Sequence, residues 1–340
     1  MPLAATLVSP GRIELADRQA LVPLTGEVIV RVATAGICGT DLALHSGDYA
    51  VPLPLVLGHE VIGTVVRKGD GVPDRWLGRR VAVEINNTCV AYGRPTLCRA
   101  CHIGIPSHCQ SRTVTGIIAH DGGWAEEMRA PAGALHEVPD ALDTLAATLC
   151  EPLAAAIQTF EVTPLPDPAP ETVVVVGPGR LGILVTFVAA ERGARVLAVS
   201  RSARRRARAM AFGAVQAFDP SVAGDAVRDL TGGLGADIVV DTTGAPEGLG
   251  FALSLVRPRG VLAAKTTCGL PSQGIPMTRV VVDEVRIQGS RCGPFGPALG
   301  LLARHADRLA PLITSVRPLA EIQGAVASAM IEDKVVLRAS

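Results

Sequence analysis

The stretch "TVVVVGPGRLGILVTFVAAERGARVLAVS" (residues 172–200) indicates the fold of the second half of the chain. Its opening run of β-branched residues is typical of a strand buried on both faces of a parallel sheet. Three glycines follow in the spacing G-x-G-x-x-G (Gly177, Gly179 and Gly182), then an apolar helical segment and a second buried strand. A strand, this turn and a helix in that order predict a dinucleotide-binding βαβ unit.

Each glycine of the turn has its own physical role. Gly177 permits the tight turn, Gly179 lets the backbone approach a pyrophosphate at the helix N-terminus, and Gly182 allows close packing of helix and strand. The alternative is a plain strand–helix turn without a ligand. The residues of this turn predicted to bind a cofactor are Gly177, Gly179, Arg180, Leu181 and Gly182.

The end of the second strand indicates which dinucleotide is bound. An NAD site places Asp or Glu there to accept a hydrogen bond from the ribose 2′-hydroxyl. This chain has Ser200 followed by Arg201, Ser202, Arg204 and Arg205. Because a hydroxyl beside guanidinium groups suits a 2′-phosphate, NADP(H) is favoured over NAD(H), with Ser200, Arg201 and Arg205 as its contacts. The alternative is that these arginines only solvate a helix face.

The sequence pattern changes near residue 150, from short strand-like runs to alternating strands and helices. Earlier segments such as "GEVIVRVATAGI" and "GRRVAVEI" are short β-branched runs broken by Gly and Pro, which predict a β-rich, barrel-like domain. A helical segment and the proline-rich "TPLPDPAPE" follow, and a helix cannot continue through such a stretch. Strands and helices then alternate, which predicts an α/β fold with a doubly wound parallel sheet over residues 153–290.

Composition excludes several functional classes. A chain of 340 residues suggests two domains, and 48% hydrophobic residues suffice for large cores. Lys+Arg and Asp+Glu number 32 each, so no net field attracts nucleic acid or a membrane surface. No apolar run approaches the roughly 18 residues that span a bilayer, and the N-terminus does not resemble a secretory signal. We therefore expect a cytoplasmic protein with reduced thiols.

Half of the eight cysteines lie in "CVAYGRPTLCRACHIGIPSHC", at Cys89, Cys98, Cys101 and Cys109. Four thiolates can surround Zn²⁺ tetrahedrally and leave no open position, so this pattern predicts a structural zinc site. Unmetallated thiols or a redox pair are the alternatives. His102 and His108 lie inside the loop and are potential substitute ligands, although solvated positions suit them better.

Three further stretches carry metal-ligand residue types: "AGICGTD" with Cys38, "LGHEVIG" with His59 and Glu60, and "LCEPLAAA" with Cys150 and Glu151. A catalytic zinc takes three protein ligands of Cys, His or carboxylate type and keeps one position open. Any one of these residues alone is more often structural. Their occurrence together, before a dinucleotide-binding domain, favours a catalytic metal.

The set "GICGTD", "GHE", the cysteine loop, "CEPLAAA" and "VVVVGPGRLG" resembles the zinc-dependent alcohol dehydrogenases of the medium-chain dehydrogenase/reductase superfamily. It is most similar to the threonine, sorbitol and glucose dehydrogenase-like branches. The resemblance implies a GroES-like catalytic domain over residues 1–152 and a Rossmann domain over residues 153–290. It also implies a segment, residues 291–340, that returns to the catalytic domain. A homodimer or homotetramer is expected on the same ground.

Residue by residue, the resemblance implies that Cys38 and His59 bind the catalytic zinc. The third ligand is Glu60 or Glu151, which would exchange as water or substrate enters, and Glu151 is preferred to its competitor Cys150 because "EPL" matches the family directly. Asp41 matches the carboxylate that orients the ligand histidine, and Thr40 matches the hydroxyl that passes on the proton of the alcohol. The predicted catalytic residues are therefore Thr40, Asp41 and Glu60.

The sequence departs from the family pattern at two places. Many relatives carry a histidine five residues after the ligand cysteine, where this chain has Ala43. His45 replaces it only if the segment is extended, so the proton relay is expected to end in water. The cysteine loop also inserts "VAYGRP" before its second cysteine, which weakens the assignment of Cys89.

These observations predict a zinc-dependent enzyme that transfers hydride between a small alcohol, polyol or sugar and a nicotinamide cofactor. It would contain one catalytic and one structural zinc. A zinc-independent quinone or enone reductase on the same fold is the first alternative, although that branch generally lacks the cysteine and histidine ligands. A non-enzymatic cofactor-binding protein is the second.

Overall fold

The computed structural model describes residues 1–164, 171–266 and 271–339. Most of the proline-rich stretch that the sequence marks as a boundary lies outside these residues. In chain order, the strands of the described residues are β1 (Leu3–Ser9), β2 (Arg12–Asp17), β3 (Glu27–Ile37), β4 (Leu55–Val56), β5 (Glu60–Lys68), β6 (Arg80–Val83), β7 (Asn86–Asn87), β8 (Thr113–Val114), β9 (Glu127–Pro131), β10 (Leu135–Glu137), β11 (Thr172–Val176), β12 (Arg195–Val199), β13 (Ala214–Phe218), β14 (Ala236–Asp241), β15 (Val256–Ala264), β16 (Arg286–Gly289), β17 (Ser315–Pro318) and β18 (Val335–Arg338).

The helices of the same residues alternate with the strands mainly in the second half of the chain. They are α1 (Gly39–Ser46), α2 (Arg99–His102), α3 (Thr144–Ala147), α4 (Cys150–Val162), α5 (Arg180–Glu191), α6 (Ala203–Ala211), α7 (Pro220–Leu230), α8 (Gly248–Leu255), α9 (Met277–Val282), α10 (Phe295–Leu309) and α11 (Ile322–Ile331). Within the described parts of the chain, no helix has both the length and the apolar character that crossing a bilayer requires.

The chain packs as two compact units. One consists of Met1–Glu151 together with Phe295–Ser340, and the other of Pro152–Pro294. The last 46 residues thus pack with the first 151 rather than with the residues that directly precede them.

The unit Pro152–Pro294 contains a parallel sheet, whose described strands run in the order β13-β12-β11-β14-β15-β16. The four valines of β11 are at most 4% exposed, as expected for a strand covered by helices on both faces. The strand order reverses between β11 and β14, and ligands of such sheets bind at the carboxyl ends of the strands at this point. The predicted doubly wound α/β fold is confirmed, and the glycine turn after β11 lies at the expected edge.

The other unit is built on a mixed sheet, whose described strands run in the order β10-β6-β5-β3-β18-β17 with β9 also paired to β3. Its core strand β3 is long and almost wholly buried. The N-terminal part of β3 pairs with β9, and its C-terminal part, Thr34–Ile37, pairs with β18 from the far end of the chain. β5 pairs with β3 on the opposite edge.

The register of these three strands positions the candidate site. Gly36 on β3 faces Glu60 on β5 across one edge and Val336 on β18 across the other. The end of β3 therefore lies between the beginning of β5 on one edge and the beginning of β18 on the other.

Candidate functional site

Cys38, His59 and Glu60 come together where β3 ends and β5 begins. Cys38 follows the last residue of β3 and is the N-cap of α1, whereas His59 and Glu60 stand at the start of β5. One ligand atom from each residue lies within 4.8 Å of the other two, and His59 and Glu60 are buried. A thiol, an imidazole and a carboxylate at this separation are a donor set that suits Zn²⁺.

Asp41, which is fully buried, connects the two segments. Its Oδ2 accepts a hydrogen bond from the backbone N–H of Cys38 at 2.8 Å, and its Oδ1 accepts one from the backbone N–H of Gly58 at 3.3 Å. The same Oδ1 lies 3.3 Å from Nδ1 of His59. A carboxylate beside Nδ1 orients the ring and leaves Nε2 to bind a metal.

The pKa of the His59 imidazole is the outcome of opposing effects. Burial lowers it, whereas the carboxylate of Asp41 and the side chain of Cys38 raise it. The raising effects together prevail, so the pKa lies well above the ordinary value of 6.5. A histidine must be neutral to bind a metal, so a metal at this position would compete with a proton for the His59 ring.

Only one of the two carboxylate oxygens of Glu60 has a partner among the described residues. Its Oε2 forms a buried ion pair with Nζ of Lys334, the residue just before β18. Among the described residues, Oε1 has no hydrogen-bond partner and is shielded from solvent. A buried carboxylate oxygen without a donor, next to a thiol and an imidazole, is the arrangement expected of a metal ligand.

The two other residues considered as third ligand lie outside this group. Glu151 is buried in the first turn of α4, but its carboxylate is not within 4.8 Å of all three ligand atoms. The Cys150 thiol donates to the backbone carbonyl of Phe295 at 3.8 Å. Burial, with the charges of Glu151 and Glu84, raises the pKa of Cys150 well above its ordinary value, which disfavours the thiolate that a metal requires. Binding of Glu151 to the metal stays a prediction.

Thr40 lies beside the donor set, with its Oγ1 4.0 Å from Sγ of Cys38. The segment that follows is the helix α1, not an extended strand. His45 comes five residues after Thr40 and so projects about 140° around the helix from it. The extended condition under which His45 could replace the missing relay histidine is therefore not met.

The four cysteines of the loop gather into a second group, here called the four-thiol lobe (Cys89, Cys98, Cys101 and Cys109). All four sulfurs lie within 4.8 Å of one another, with Sγ of Cys109 3.5 Å from Cys89 and 3.7 Å from Cys98. Tetrahedral zinc with Zn–S bonds of 2.3 Å requires sulfurs about 3.8 Å apart. The lobe therefore fits a closed structural zinc site, and the inserted residues do not displace Cys89 from it.

Hydrogen bonds lower the pKa of two thiols in the four-thiol lobe and so favour their thiolate forms. A hydrogen bond from the Ser111 hydroxyl lowers the pKa of Cys89, and backbone N–H groups lower that of Cys98. Burial raises the pKa of Cys101 to about 12. His102 and His108 are exposed and lie outside the group. This set of thiols suits a metal ion, since coordination deprotonates a thiol outright.

In the other unit, the glycine turn has the geometry of a phosphate-binding loop. Gly177 adopts φ +83°, and Gly179 is the N-cap of α5. A Cβ on Gly182 would lie 2.4 Å from the carbonyl of Gly177 and 2.5 Å from Oγ1 of Thr242, so a side chain there is excluded. Thr242, just after β14, donates to the carbonyls of Val176 and Gly177 at 2.9 and 2.7 Å and braces the turn.

The arginines after β12 divide into different roles. The Arg205 guanidinium lies 3.9 Å from the position that a Cβ on Gly179 would take, so it stands over the glycine turn. Arg206 instead donates to the backbone carbonyl of Ser200 at 2.6 Å and pairs with Asp219 at 3.4 Å, which is a structural role. Arg201 is exposed beside the buried Ser200. Arg206 therefore does more than solvate a helix face, because its guanidinium contacts Ser200 and Asp219. Arg201 and Arg205 remain the candidates to bind a phosphate.

Sequence reasoning missed three residues that shape these sites: Gly36, Thr242 and Lys334. A glycine within the otherwise β-branched run of β3 was a signal for Gly36, because such a glycine often marks a close approach by another group. No local pattern distinguishes Lys334 or Thr242 from ordinary surface positions.

Comparison with known proteins agrees with this geometry. Residues 25–140 match the family model described as alcohol dehydrogenase GroES-like domain, and residues 181–304 match the model described as zinc-binding dehydrogenase. A sorbitol dehydrogenase from Halalkalibacterium halodurans is 28% identical over 326 residues, which cover 94% of this chain and 93% of the relative.

Two solved structures are similar over 99% of both chains. One is a zinc-binding dehydrogenase from Sinorhizobium meliloti bound to NADP, with 30% identity and a TM-score of 0.86. The other is described as a short chain alcohol dehydrogenase from Escherichia coli CFT073 in complex with NADH, with 26% identity and a TM-score of 0.87. The chain therefore belongs to the zinc-type alcohol dehydrogenase family and is an oxidoreductase of that type. The family, the GroES-like domain and the Rossmann domain inferred from the sequence are confirmed.

Proposed function

We propose that the protein transfers hydride between a small alcohol, polyol or sugar, or the matching carbonyl compound, and a nicotinamide cofactor, with NADP(H) favoured over NAD(H). The observation that carries this proposal is the close grouping of Cys38, His59 and Glu60 in a chain that also contains the glycine turn. A metal-binding group of mixed ligands and a dinucleotide-binding turn are what this reaction requires.

Zinc is the metal that both groups fit. The mixed set of Cys38, His59 and Glu60 supplies three protein ligands, with Glu151 as the residue proposed to exchange with Glu60. When bound there, zinc makes a hydroxyl group acidic and polarises a carbonyl. The four-thiol lobe supplies four ligands and no open position, so its proposed role is structural.

The residues of the chain then have separate tasks. Asp41 holds the His59 ring and the Cys38 backbone in one geometry. Thr40, close to Cys38, accepts the proton of the substrate hydroxyl in oxidation and returns it in reduction. Because Ala43 has no polar group and α1 directs His45 away from Thr40, the proton passes from Thr40 to water.

The preference for NADP(H) is supported by the residues at the end of β12. Ser200 takes the place of the carboxylate that an NAD site uses, and Arg201 and Arg205 supply charge for a 2′-phosphate. Arg205 also lies over Gly179, where the pyrophosphate is expected. Solved relatives bind either cofactor, so the residues of this chain carry the choice.

The substrate proposal rests on the polyol specificity named for the sorbitol dehydrogenase relative. A small alcohol, polyol or sugar, or the matching carbonyl compound, is the expected substrate class. A cytoplasmic location and a homodimer or homotetramer complete the proposal.

A substrate screen tests the proposed activity. Zinc-loaded protein is incubated with a panel of alcohols, polyols and sugars and with NADP⁺ or NAD⁺, and absorbance of the reduced cofactor is recorded. We expect turnover with NADP⁺ that Cys38→Ser removes. Equal activity of Cys38→Ser would exclude the metal mechanism and favour a zinc-independent reductase.

Cofactor binding tests the choice of NADP(H) separately. We expect Arg201→Ala to weaken NADPH binding roughly 10-fold, the value of about one charged hydrogen bond, and to leave NADH unchanged. Arg205→Ala should weaken both cofactors, because it stands over the pyrophosphate turn. Arg208→Ala, in the last turn of α6, is the matched control. Tighter binding of NADH than NADPH by the unmodified protein would contradict the assignment.

A further inference from the structure

A buried ion pair joins the C-terminal strand to the candidate metal site. Nζ of Lys334 contacts Oε2 of Glu60 across 274 positions of sequence, and both side chains are buried, at 8% and 1% exposure. Buried lysines and glutamates are rare because each charge loses its hydration on burial, and those that do occur are normally paired, as these two are.

The backbone of Lys334 is fixed independently of Glu60. Its N–H donates to Oγ1 of Thr314 at 3.2 Å, and its carbonyl accepts from the N–H and Oγ1 of Thr314 at 2.8 and 3.0 Å. Directly after it, β18 begins with Val335, which pairs with Ile37 at the end of β3. Lys334 is therefore held at a fixed place beside the strand ends that carry Cys38 and Glu60.

The glutamate carboxylate lies in a hollow that only glycine permits. A Cβ on Gly36 would stand 1.8 Å from Oε2 of Glu60 and 2.9 Å from its carboxyl carbon. Gly36 is the residue that faces Glu60 in the strand register. The hollow limits the carboxylate to one position on this side, and Lys334 holds it there.

Within the described chain, Oε1 of Glu60 is buried and has no hydrogen-bond partner. One oxygen is thus engaged by a fixed cation and the other is left without a donor, in a carboxylate that has an oxygen within 4.8 Å of the ligand atoms of Cys38 and His59. We propose that Lys334 is a positioning residue of the metal site: it occupies one oxygen of Glu60 and so presents the other to zinc. This inference rests on the proposed function, because it requires that the group of Cys38, His59 and Glu60 binds zinc.

Zinc affinity of the unmodified protein, Lys334→Met and Lys334→Arg provides the first test. Affinity is measured by competition with a chromophoric chelator, and metal in the four-thiol lobe of the same molecule is the internal control. We expect Lys334→Met to bind zinc at the mixed site 10- to 100-fold more weakly, the range found when a group that orients a metal ligand is lost. Lys334→Arg, which retains the cation, should remain within about threefold of the unmodified protein.

A spectroscopic measurement distinguishes positioning from general stabilisation. With Co²⁺ in place of zinc at the mixed site, the visible absorption bands depend on which atoms bind the metal and in what geometry. We expect Lys334→Met to shift these bands and Lys334→Arg to restore them. A residue that only stabilises the fold would change the unfolding temperature and leave the bands unchanged.

Two glycine variants test the same idea without changing Lys334. Gly36→Ala places a methyl group against the Glu60 carboxylate, whereas Gly324→Ala, in α11 of the same unit, places one where nothing lies within 4 Å. We expect Gly36→Ala to weaken zinc binding as Lys334→Met does, and Gly324→Ala to keep the affinity and the cobalt spectrum. If Lys334→Met does not fold, the comparison of these two glycine variants tests whether the position of the Glu60 carboxylate controls zinc binding.

Several results would overturn the inference. Unchanged zinc affinity and cobalt bands in Lys334→Met would assign the ion pair to stability alone. Tighter zinc binding in Lys334→Met would mean that the lysine competes with the metal for Glu60. Each leaves the proposed function standing, whereas an unmodified protein that binds zinc only in the four-thiol lobe would overturn both.

Discussion

The two metal-type groups of this protein differ in how the chain assembles them. The four-thiol lobe takes all its ligands from residues 89–109, and a hydroxyl and backbone N–H groups lie around the sulfurs. The mixed group takes Cys38 from the end of β3 and His59 and Glu60 from the start of β5, with Lys334 reaching Glu60 from the C-terminal strand.

This difference suits the two roles proposed for the groups, a structural one for the four-thiol lobe and a catalytic one for Cys38, His59 and Glu60. Four identical ligands from one loop close around a metal and need little from the remainder of the fold. Three different side chains at the ends of sheet strands suit the proposed catalytic metal, which would keep a position open for a substrate while neighbouring groups hold the geometry. The two groups should therefore respond to mutation in opposite ways.

Loss of Cys38 should have the largest effect on activity. We expect Cys38→Ser to lower kcat/KM about 10³-fold or more, because the metal contributes several kcal/mol to the transition state. Metal analysis should still find the zinc of the four-thiol lobe. Cys150→Ser is the matched control, since this buried thiol lies outside the group. Equal loss of activity in both variants would restore Cys150 as a candidate ligand.

Substitution of the buried Asp41 should have the second largest effect. Asp41→Asn keeps one acceptor oxygen, which can accept from the backbone N–H of Cys38 or of Gly58 but not of both, and it removes the charge beside Nδ1 of His59. We expect zinc at the mixed group to bind 10- to 100-fold more weakly, while zinc in the lobe is unaffected. Chelator competition measures both sites in one titration. An unchanged affinity would show that the 3.3 Å contact between Asp41 and His59 does not support the metal.

Loss of Cys101 should lower the stability of the protein and leave its activity nearly unchanged, the opposite of what we expect for Cys38→Ser. Cys101→Ser removes one of four ligands from the lobe, and we expect the unfolding temperature to fall by about 4–8 °C, which corresponds to about 2 kcal/mol in a unit of this size. At a temperature where the variant remains folded, kcat should stay within about threefold. A loss of kcat as large as that of Cys38→Ser would contradict the structural assignment of the lobe.

The smallest effect is expected at Ser111, the counterpart of Asp41 in the lobe. Its hydroxyl lies 3.4 Å from Sγ of Cys89 and 3.5 Å from Sγ of Cys109, but the residue is exposed and uncharged. Ser111→Ala should release zinc from the lobe only roughly 2- to 10-fold more readily, as for one neutral hydrogen bond. A chelator-release time course checks this, with activity as the quantity that should not change.

The sequence predicts the features that depend on short segments. The glycine turn with its flanking strands and the cysteine spacing each occupy fewer than 30 residues, and the alternation of strands and helices is built from elements that are each short with a strong local pattern. Edge strand β13 was not predicted, because its residues alternate poorly and only Ala214 is buried. The family resemblance supplied Cys38 and His59, which no single pattern identifies.

The rest depends on contacts between distant residues. The sequence left Glu60, Glu151 and Cys150 open as third ligand, and only the register of β3 with β5 brings Glu60 beside Cys38. Lys334 precedes an ordinary apolar strand, so nothing in its neighbourhood indicates an ion pair with a residue 274 positions away.

The pairing of β18 with the last residues of β3 has a consequence for biosynthesis. At about 5–20 residues per second, the ribosome needs roughly 15–60 s to proceed from Cys38 to the residues that cover this edge of β3. During that interval the nascent polypeptide exposes unpaired N–H and C=O groups on Thr34–Ile37, the segment that leads into Cys38. Translation products that stop before Val335 would retain this open edge, which makes them candidates for chaperone capture or aggregation.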